Sequence, residues 1–198
     1  MQRDCLPRTF FARDACVVAR ALLGCRVVHV VAGGGYRVAR IVETEAYRGP
    51  KDLACHARAG LTKRTRSLLG PEGHAYVFLV YGMHECFNTT CLGEGKGHAV
   101  LVRAAEAESG FPEGARLDGP GRFARAMGIT RALDGVDLTD LTARSPLCIL
   151  PREGRVRVGA SARVGVAYAG AWADEPWRFF DADSACVSRP PKSAIGRG

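Results

Sequence analysis

A single α+β domain, with a mainly antiparallel β-sheet and helices packed around it, is the fold class this sequence predicts. Three observations predict it. A length of 198 residues suits one compact domain with a core of its own. Its strand-like runs follow one another with turns rather than long helices between them, which favours antiparallel pairing. No repeat, linker or composition break divides the chain, so residues 1–189 read as one unit and the Pro/Gly/basic stretch 190–198 as a disordered tail.

Residues 9–23 have amphipathic helical spacing, with Thr9 as N-cap and Gly24 as the stop. Cys25 to Ala32 is apolar and β-branched, hence a strand. Gly33-Gly34-Gly35 turns it into a second strand, Tyr36 to Tyr47, and the two form a hairpin. Residues 48–74 are loop-rich and basic, with Arg58, Lys63, Arg64 and Arg66. Ala75 to Tyr81 is a strand that Gly82 breaks, and Glu85 to Cys91 pairs back on it. The turn Gly93-Glu94-Gly95-Lys96-Gly97 precedes a strand from His98 to Ala105. Asp118-Gly119-Pro120-Gly121 introduces a short helix over 122–128. Residues 147–150, 155–159, 163–166 and 177–180 read as short strands or core pieces.

The net charge of +8 favours a polyanionic partner, nucleic acid or an acidic membrane surface. The excess is arginine, the residue suited to bidentate phosphate contacts. Base composition of the gene accounts for arginine over lysine, but not for the excess of basic over acidic residues. Eight cysteines sit mostly inside apolar runs without a CxxC pair, and the N-terminus is polar and charged rather than a secretory leader. Buried free thiols in a reducing compartment are expected. His84, Cys86 and Cys91 match no zinc spacing, so no metal is expected, and no apolar run is long enough to span a bilayer.

Candidate chemistry begins at Val42-Glu43-Thr44-Glu45-Ala46-Tyr47, which runs into Arg48-Gly49-Pro50. Side chains alternate along a strand, so Glu43, Glu45 and Tyr47 share a face, with the carboxylates roughly 6–7 Å apart. Carboxylates beside an aromatic ring at the edge of a Gly-Pro loop suit acid–base chemistry on a flat ligand. Two solvated glutamates at a strand end are the ordinary alternative. Tyr76 and Phe78 share a strand face, while Tyr81 stands at the hairpin tip, where a ring serves as a wedge between base steps or as a lid on the core. His56 is a ligand-facing or a structural histidine. Arg103 ends an apolar strand and, if it points inward, requires a carboxylate such as Glu43 or Glu45. Asn88 can offer an amide to a ligand edge or to its own ladder. Gly119-Pro120-Gly121-Arg122 can set backbone N–H groups and an arginine against a phosphate, without the pattern of a nucleotide-cofactor loop.

Taken in order and spacing, these segments resemble the alkyladenine (3-methyladenine) DNA glycosylases of mammals and many bacteria. The matching runs are Arg40 to Tyr47 with Gly49-Pro50, His56, Tyr76 to Met83 with Asn88, Val100 to Ala104, Gly119-Pro120-Gly121 and Ala162 to Val166. The resemblance spans the first helix to about Ser188. It implies a curved, open-barrel-like sheet with a protruding β-hairpin. It implies Glu45 as the general base for the attacking water, with Arg103 and the Val164 carbonyl as its other holders. Tyr47 would stack on one face of a flipped base, His56 and Phe78 on the other, and the His56 N–H would bond the base edge. Asn88 would crowd the exocyclic amino group of guanine, and Tyr81 would fill the gap in the duplex. Gly119, Gly121, Arg122 and Arg64 would meet the DNA backbone. Glu43 falls to a supporting role, orienting Arg103 or a nearby backbone group.

One departure is Phe78, where mammalian members commonly carry Tyr; stacking survives and a hydroxyl is lost. The implied activity is a monofunctional, cofactor-free hydrolase of base excision repair. It would release alkylated or deaminated purines from double-stranded DNA. A monomer is expected, cytoplasmic and nucleoid-associated in a bacterium or nuclear in a eukaryote. No lysine near these motifs offers a Schiff-base nucleophile, so no lyase step is expected. Two rivals keep parts of the pattern. A sugar glycosidase would use Glu43 and Glu45, although such carboxylates usually lie on separate elements and +8 does nothing for a neutral sugar. A non-catalytic DNA-bending module would keep Tyr81 and the basic surface without needing Glu45.

Overall fold

The computed structural model describes residues 5–31, 33–142 and 144–189. The predicted tail 190–198 lies outside the described residues, as does Ala32 at the end of the first predicted strand.

Two helices stand where one was expected: α1 (Arg8–Phe11) and α2 (Ala15–Leu22). Thr9 falls inside α1, and the N-cap that matters is Asp14, whose carboxylate accepts the Cys16 N–H at 2.9 Å. That extended Asp14 cap restarts the helix and accounts for the break. Leu23 and the left-handed Gly24 end α2.

Among the described residues eight antiparallel strands follow: β1 (Arg26–Val30), β2 (Tyr36–Arg48), β3 (Ala75–Val80), β4 (His84–Cys91), β5 (His98–Ser109), β6 (Leu147–Leu150), β7 (Val158–Ser161) and β8 (Arg178–Asp181). Six of them curl into a half-barrel in the order β3-β4-β5-β2-β1-β6. Central β2 also pairs with β8 at Glu43–Glu45, beyond the point where β1 leaves it, and β8 carries β7. Helix α3 (Pro120–Met127) has Pro at its start and the left-handed Gly128 at its end, and begins two residues earlier than expected.

One expected strand is shortened, and one stretch read as strand or core piece takes the second form, with Arg163 and Val166 buried. The stretch 155–159 becomes a ladder only from Val158, because its partner β8 ends at Asp181, opposite Val158. Residues 163–166 form no strand: Arg163 and Val164 bond to Asp52 and Glu45 instead of a neighbouring ladder, and Gly165 turns the chain with φ of 77°.

The main core lies on one face of the sheet. There α2 (Val18, Leu22) and α3 (Phe123, Met127) pack on Ile41, Phe87 and Val102. The other face carries Tyr76 and Ala99, on which Cys55 and Leu68 of the loop 49–74 pack.

Between the two faces β2 changes sides. Ala39 and Ile41 point into the main core, yet so does Ala46, an even-numbered position. The change occurs at paired irregularities: Ile41 faces Ala105, Glu43 faces Ala104 and Thr44 faces Val102. Val42 on β2 and Arg103 on β5 are thus the extra residues of two adjacent bulges. A one-residue slip transfers every following side chain to the opposite face. Without it, Glu43, Glu45 and Tyr47 would lie on the side of Ile41, in the apolar core.

Candidate active site

The bulged stretch delivers its side chains to a cavity of about 420 Å³ between the sheet's second face and the 49–74 loop. Tyr47, His56, Phe78, Asn88, Arg103 and Val164 line it, and the β3–β4 hairpin overhangs it. The volume falls within the roughly 300–1,000 Å³ of small-molecule pockets. Alternation supplies the wall: Tyr76 and Phe78 from β3, Cys86 and Asn88 from β4, and Leu101 and Arg103 from β5 face it, while Val77, Phe87 and Val102 face the core.

Glu45 is fully buried behind three of the lining residues and bonds to all of them. Its Oε1 accepts the Val164 N–H at 2.7 Å and lies 3.2 Å from Arg103 Nη1, and its Oε2 accepts the Tyr47 hydroxyl at 2.9 Å. Burial, and then the neighbouring Glu45 charge, push the Tyr47 hydroxyl well above its ordinary pKa, so it is the donor in that bond.

Glu43, equally buried, is spent otherwise. Its Oε1 accepts from Arg103 Nε at 2.8 Å, Arg178 Nε at 2.7 Å and the Ser188 hydroxyl at 2.9 Å, and its Oε2 accepts the Ser188 N–H at 2.6 Å. Burial alone would raise its pKa, but the two guanidinium groups and the Ser188 hydrogen bonds outweigh burial and hold it below the ordinary value. Two carboxylates that look equivalent on the strand therefore differ in use: Glu43 is saturated, whereas Glu45 backs onto the cavity. Arg103 touches both. Burial works against its charge, and Glu45 and then Glu43 overcome it and raise its pKa.

Opposite Tyr47 stands a cluster of rings. His56 and Phe78 meet edge to face with centroids 4.6 Å apart, and Tyr76 lies 5.2 Å from Phe78. The Tyr76 hydroxyl is 2.9 Å from His56 Nδ1. Burial, then the charge of Arg64, push His56 down to about 4, so its ring is neutral near pH 7. His56 opens a 3-10 turn, His56–Ala59, the position whose N–H has no acceptor within the turn. Asn88 is buried, with its Nδ2 donating to the Tyr76 carbonyl at 3.0 Å and to that of Cys86 at 3.5 Å. That fixes which amide atoms remain for the cavity.

Tyr81 is 87% exposed and Met83 73%, both at the hairpin tip. The Met83 N–H closes the turn onto the Val80 carbonyl at 3.1 Å. Both central residues, Tyr81 and Gly82, have positive φ, a conformation that a tyrosine adopts at a cost.

The four residues expected at a DNA backbone divide between two places. Arg64 stands at the cavity rim, with its guanidinium 5.2 Å from the Phe78 ring centroid and 3.5 Å from His56 Nε2. Gly119 and Gly121 flank Pro120 at the start of α3, where Pro120 itself reaches the cavity. A Cβ on Gly121 would stand 3.0 Å from that of His84, so glycine lets the helix approach the hairpin base. Arg122 is tethered to Asp118 at 2.9 Å.

Sequence reasoning gave no role to Asp52, Arg163, Arg178 or Tyr168. Asp52 and Arg163 form a wholly buried bidentate pair at 2.6 and 2.9 Å, and the guanidinium lies 4.9 Å from the Tyr47 ring centroid. Arg178 completes the Glu43 cluster, and exposed Tyr168 lines the cavity mouth. Partners this far apart in sequence leave no local signal; the one available hint was an arginine inside the apolar run 162–166.

All eight cysteines are unpaired thiols. Among the described residues no group of three His, Cys, Asp or Glu side chains is placed to hold a metal ion, and His84, Cys86 and Cys91 form none. No helix among them is long and apolar enough to cross a membrane.

The family model of methylpurine-DNA glycosylases matches residues 9–185 of this chain. A Myxococcus xanthus protein provisionally named 3-methyladenine DNA glycosylase is 52% identical over 187 residues, covering 94% of each chain. A protein of the same provisional name from Anaeromyxobacter dehalogenans is 50% identical over 190 residues, covering 96% of this chain and 88% of its own. Another, from Methanocella arvoryzae, is 44% identical over 196 residues, covering 93% and 96%.

Proposed function

This chain belongs to the methylpurine-DNA glycosylase family, and we propose that it turns a damaged purine out of duplex DNA into the cavity between Tyr47 and Phe78. The chain is a DNA glycosylase of base excision repair, a hydrolase. The carrying observation is a buried carboxylate, Glu45, set directly behind the three lining residues Tyr47, Arg103 and Val164.

A base inside a duplex is out of reach of these groups, so extrusion precedes chemistry at a cost of a few kcal/mol, least for a weakly paired lesion. Tyr81, already held clear of the protein by its turn, fills the vacated stack. Tyr47 and the His56–Phe78 pair hold the two faces of the base, and an electron-poor alkylated purine gains most from such rings. The His56 N–H bonds the base edge, and Asn88, pinned by its two carbonyl bonds, crowds a guanine amino group.

Glu45 takes a proton from water while the water oxygen bonds to C1′ of the sugar. The N-glycosidic electron pair leaves with the base, and Glu45 also stabilises the positive charge that develops on the sugar. Arg103 and the Val164 carbonyl hold the water. A cationic alkylated purine departs neutral and needs no proton donor, which matches a His56 that is uncharged near pH 7. Among the described residues no lysine lines the cavity, which supports a monofunctional enzyme that leaves an abasic sugar. Backbone contacts fall to Arg64 at the rim and to the Gly119–Arg122 segment, where Arg122 exchanges Asp118 for a phosphate.

Two measurements test this reading. In duplexes carrying one lesion each, release is expected fastest for 3-methyladenine, ahead of 7-methylguanine, hypoxanthine and ethenoadenine. Release of none of them would sink the proposal. In the second, Tyr81→Ala is expected to weaken the rise of 2-aminopurine fluorescence on binding, because the flipped state loses its wedge. An unchanged signal would remove Tyr81 from that role.

A further inference from the structure

We propose that Ser188, at the far end of the described chain, is a positioning residue that fixes the direction in which Arg103 presents its charge to the reacting centre. The inference rests on the roles assigned above to Glu45 and Arg103.

Arg103 offers its N–H donors in a rigid fork. One prong, Nε, donates to Glu43 Oε1 at 2.8 Å, and Nη2 donates to the Ser188 hydroxyl at 3.2 Å. Two fixed points set the plane of the guanidinium, and what that plane aims is Nη1, 3.2 Å from Glu45 Oε1. Without Ser188 the fork keeps Nε on Glu43 and the longer Nη1 contact to Glu45, and can tilt about the line between them.

Ser188 bonds to both members of the Glu43–Arg103 pair. Its hydroxyl accepts from Arg103 and donates to Glu43 Oε1 at 2.9 Å, the two things one hydroxyl can do at once, while its N–H donates to Glu43 Oε2 at 2.6 Å. The next residue is held as well, since Arg178 Nη2 donates to the Arg189 carbonyl. Ser188 itself is absent from the cavity lining and touches the reaction only through Arg103. The segment 188–189 therefore acts as a clasp on the back of the site, 85 residues beyond Arg103 and 145 beyond Glu43.

The test is single-turnover base release, measured beside duplex affinity, for Ser188→Ala, Ser188→Cys and Ser188→Thr. Loss of a hydroxyl bonded to two charged groups should slow release about tenfold in Ser188→Ala, with affinity within about twofold. Ser188→Thr, which keeps the hydroxyl, should return to within about twofold of the parent rate. Ser188→Cys, a weak donor of similar size, gives the same reading if the alanine variant does not fold. A parent rate in the alanine or cysteine variant overturns the proposal, as does a threonine variant that is equally slow. Glu45→Gln in the same assay separates the two levels. If Glu45→Gln still releases base, the underlying mechanism fails. If it is inactive while Ser188→Ala runs at full rate, only the clasp fails.

Discussion

Glu45→Gln is expected to slow base release by ~10³-fold or more in single turnover, while duplex affinity changes by less than about threefold. The magnitude follows from the two tasks assigned to one group. A positioned general base contributes roughly 10²–10⁴-fold, and a preorganised charge opposite a developing one contributes on the order of 10²–10³-fold. Glutamine keeps the shape and loses both. Its carbonyl oxygen can still accept the Val164 N–H and its amide can turn toward Tyr47, so the packing survives. Arg103 retains Glu43 as a full partner at 2.8 Å, so no cation is left stranded. Binding persists because affinity for DNA comes largely from neutralised phosphates. Release at the parent rate would mean that another group activates the water. Parallel loss of binding and release would mean that Glu45 is structural.

Asp52→Ala is expected to reduce unfolding stability by about 3–5 kcal/mol, the range seen when one partner of a buried ion pair is removed. The side chains of Asp52 and Arg163 are wholly buried, and their two hydrogen bonds are 2.6 and 2.9 Å long. Burial opposes the Arg163 charge; the hydrogen bond and charge of Asp52 outweigh burial and raise its pKa. The same carboxylate caps the loop, accepting the N–H groups of Arg48 at 3.1 Å and Ala54 at 3.0 Å. Alanine leaves a guanidinium in the interior with, among the described residues, the Ala46 and Trp172 carbonyls as its hydrogen-bond partners, beneath the Tyr47 and Trp177 rings. Urea unfolding measures the loss directly; a decrease below about 1 kcal/mol would show that water or a neighbour replaces Asp52 at little cost.

Most of the strand set was legible because alternation and turn glycines are local signals. Phe78 and Asn88 were assigned to their strands from alternation and Gly82 alone, and the structure places both on the cavity wall. An inward Arg103 needing Glu43 or Glu45 followed from the cost of burying a charge, and the structure gives it both. The helix break at Asp14 was missed because Thr9 and Asp14 are both acceptable caps, and only packing chooses between them. For 163–166 the sequence left strand and core piece open, because a β-branched run reads alike whether or not a neighbouring ladder receives it; the structure makes it a buried core piece.

By itself the sequence determined the family, the α+β class and most of the side chains gathered at the cavity, from Glu45 and Tyr47 to His56, Phe78, Asn88 and Arg103. Those depend on residue type and on spacing within single elements. Tertiary structure alone decided that Glu43 and Glu45 leave the core face, through paired bulges at Val42 and Arg103 that no alternation pattern announces. It also decided which glutamate is saturated, through Arg178 and Ser188, and what backs Tyr47, through Asp52 and Arg163. The physical reason is the same in each case. A buried charge takes whatever partner the fold brings within about 3 Å, and sequence separation carries no record of that meeting.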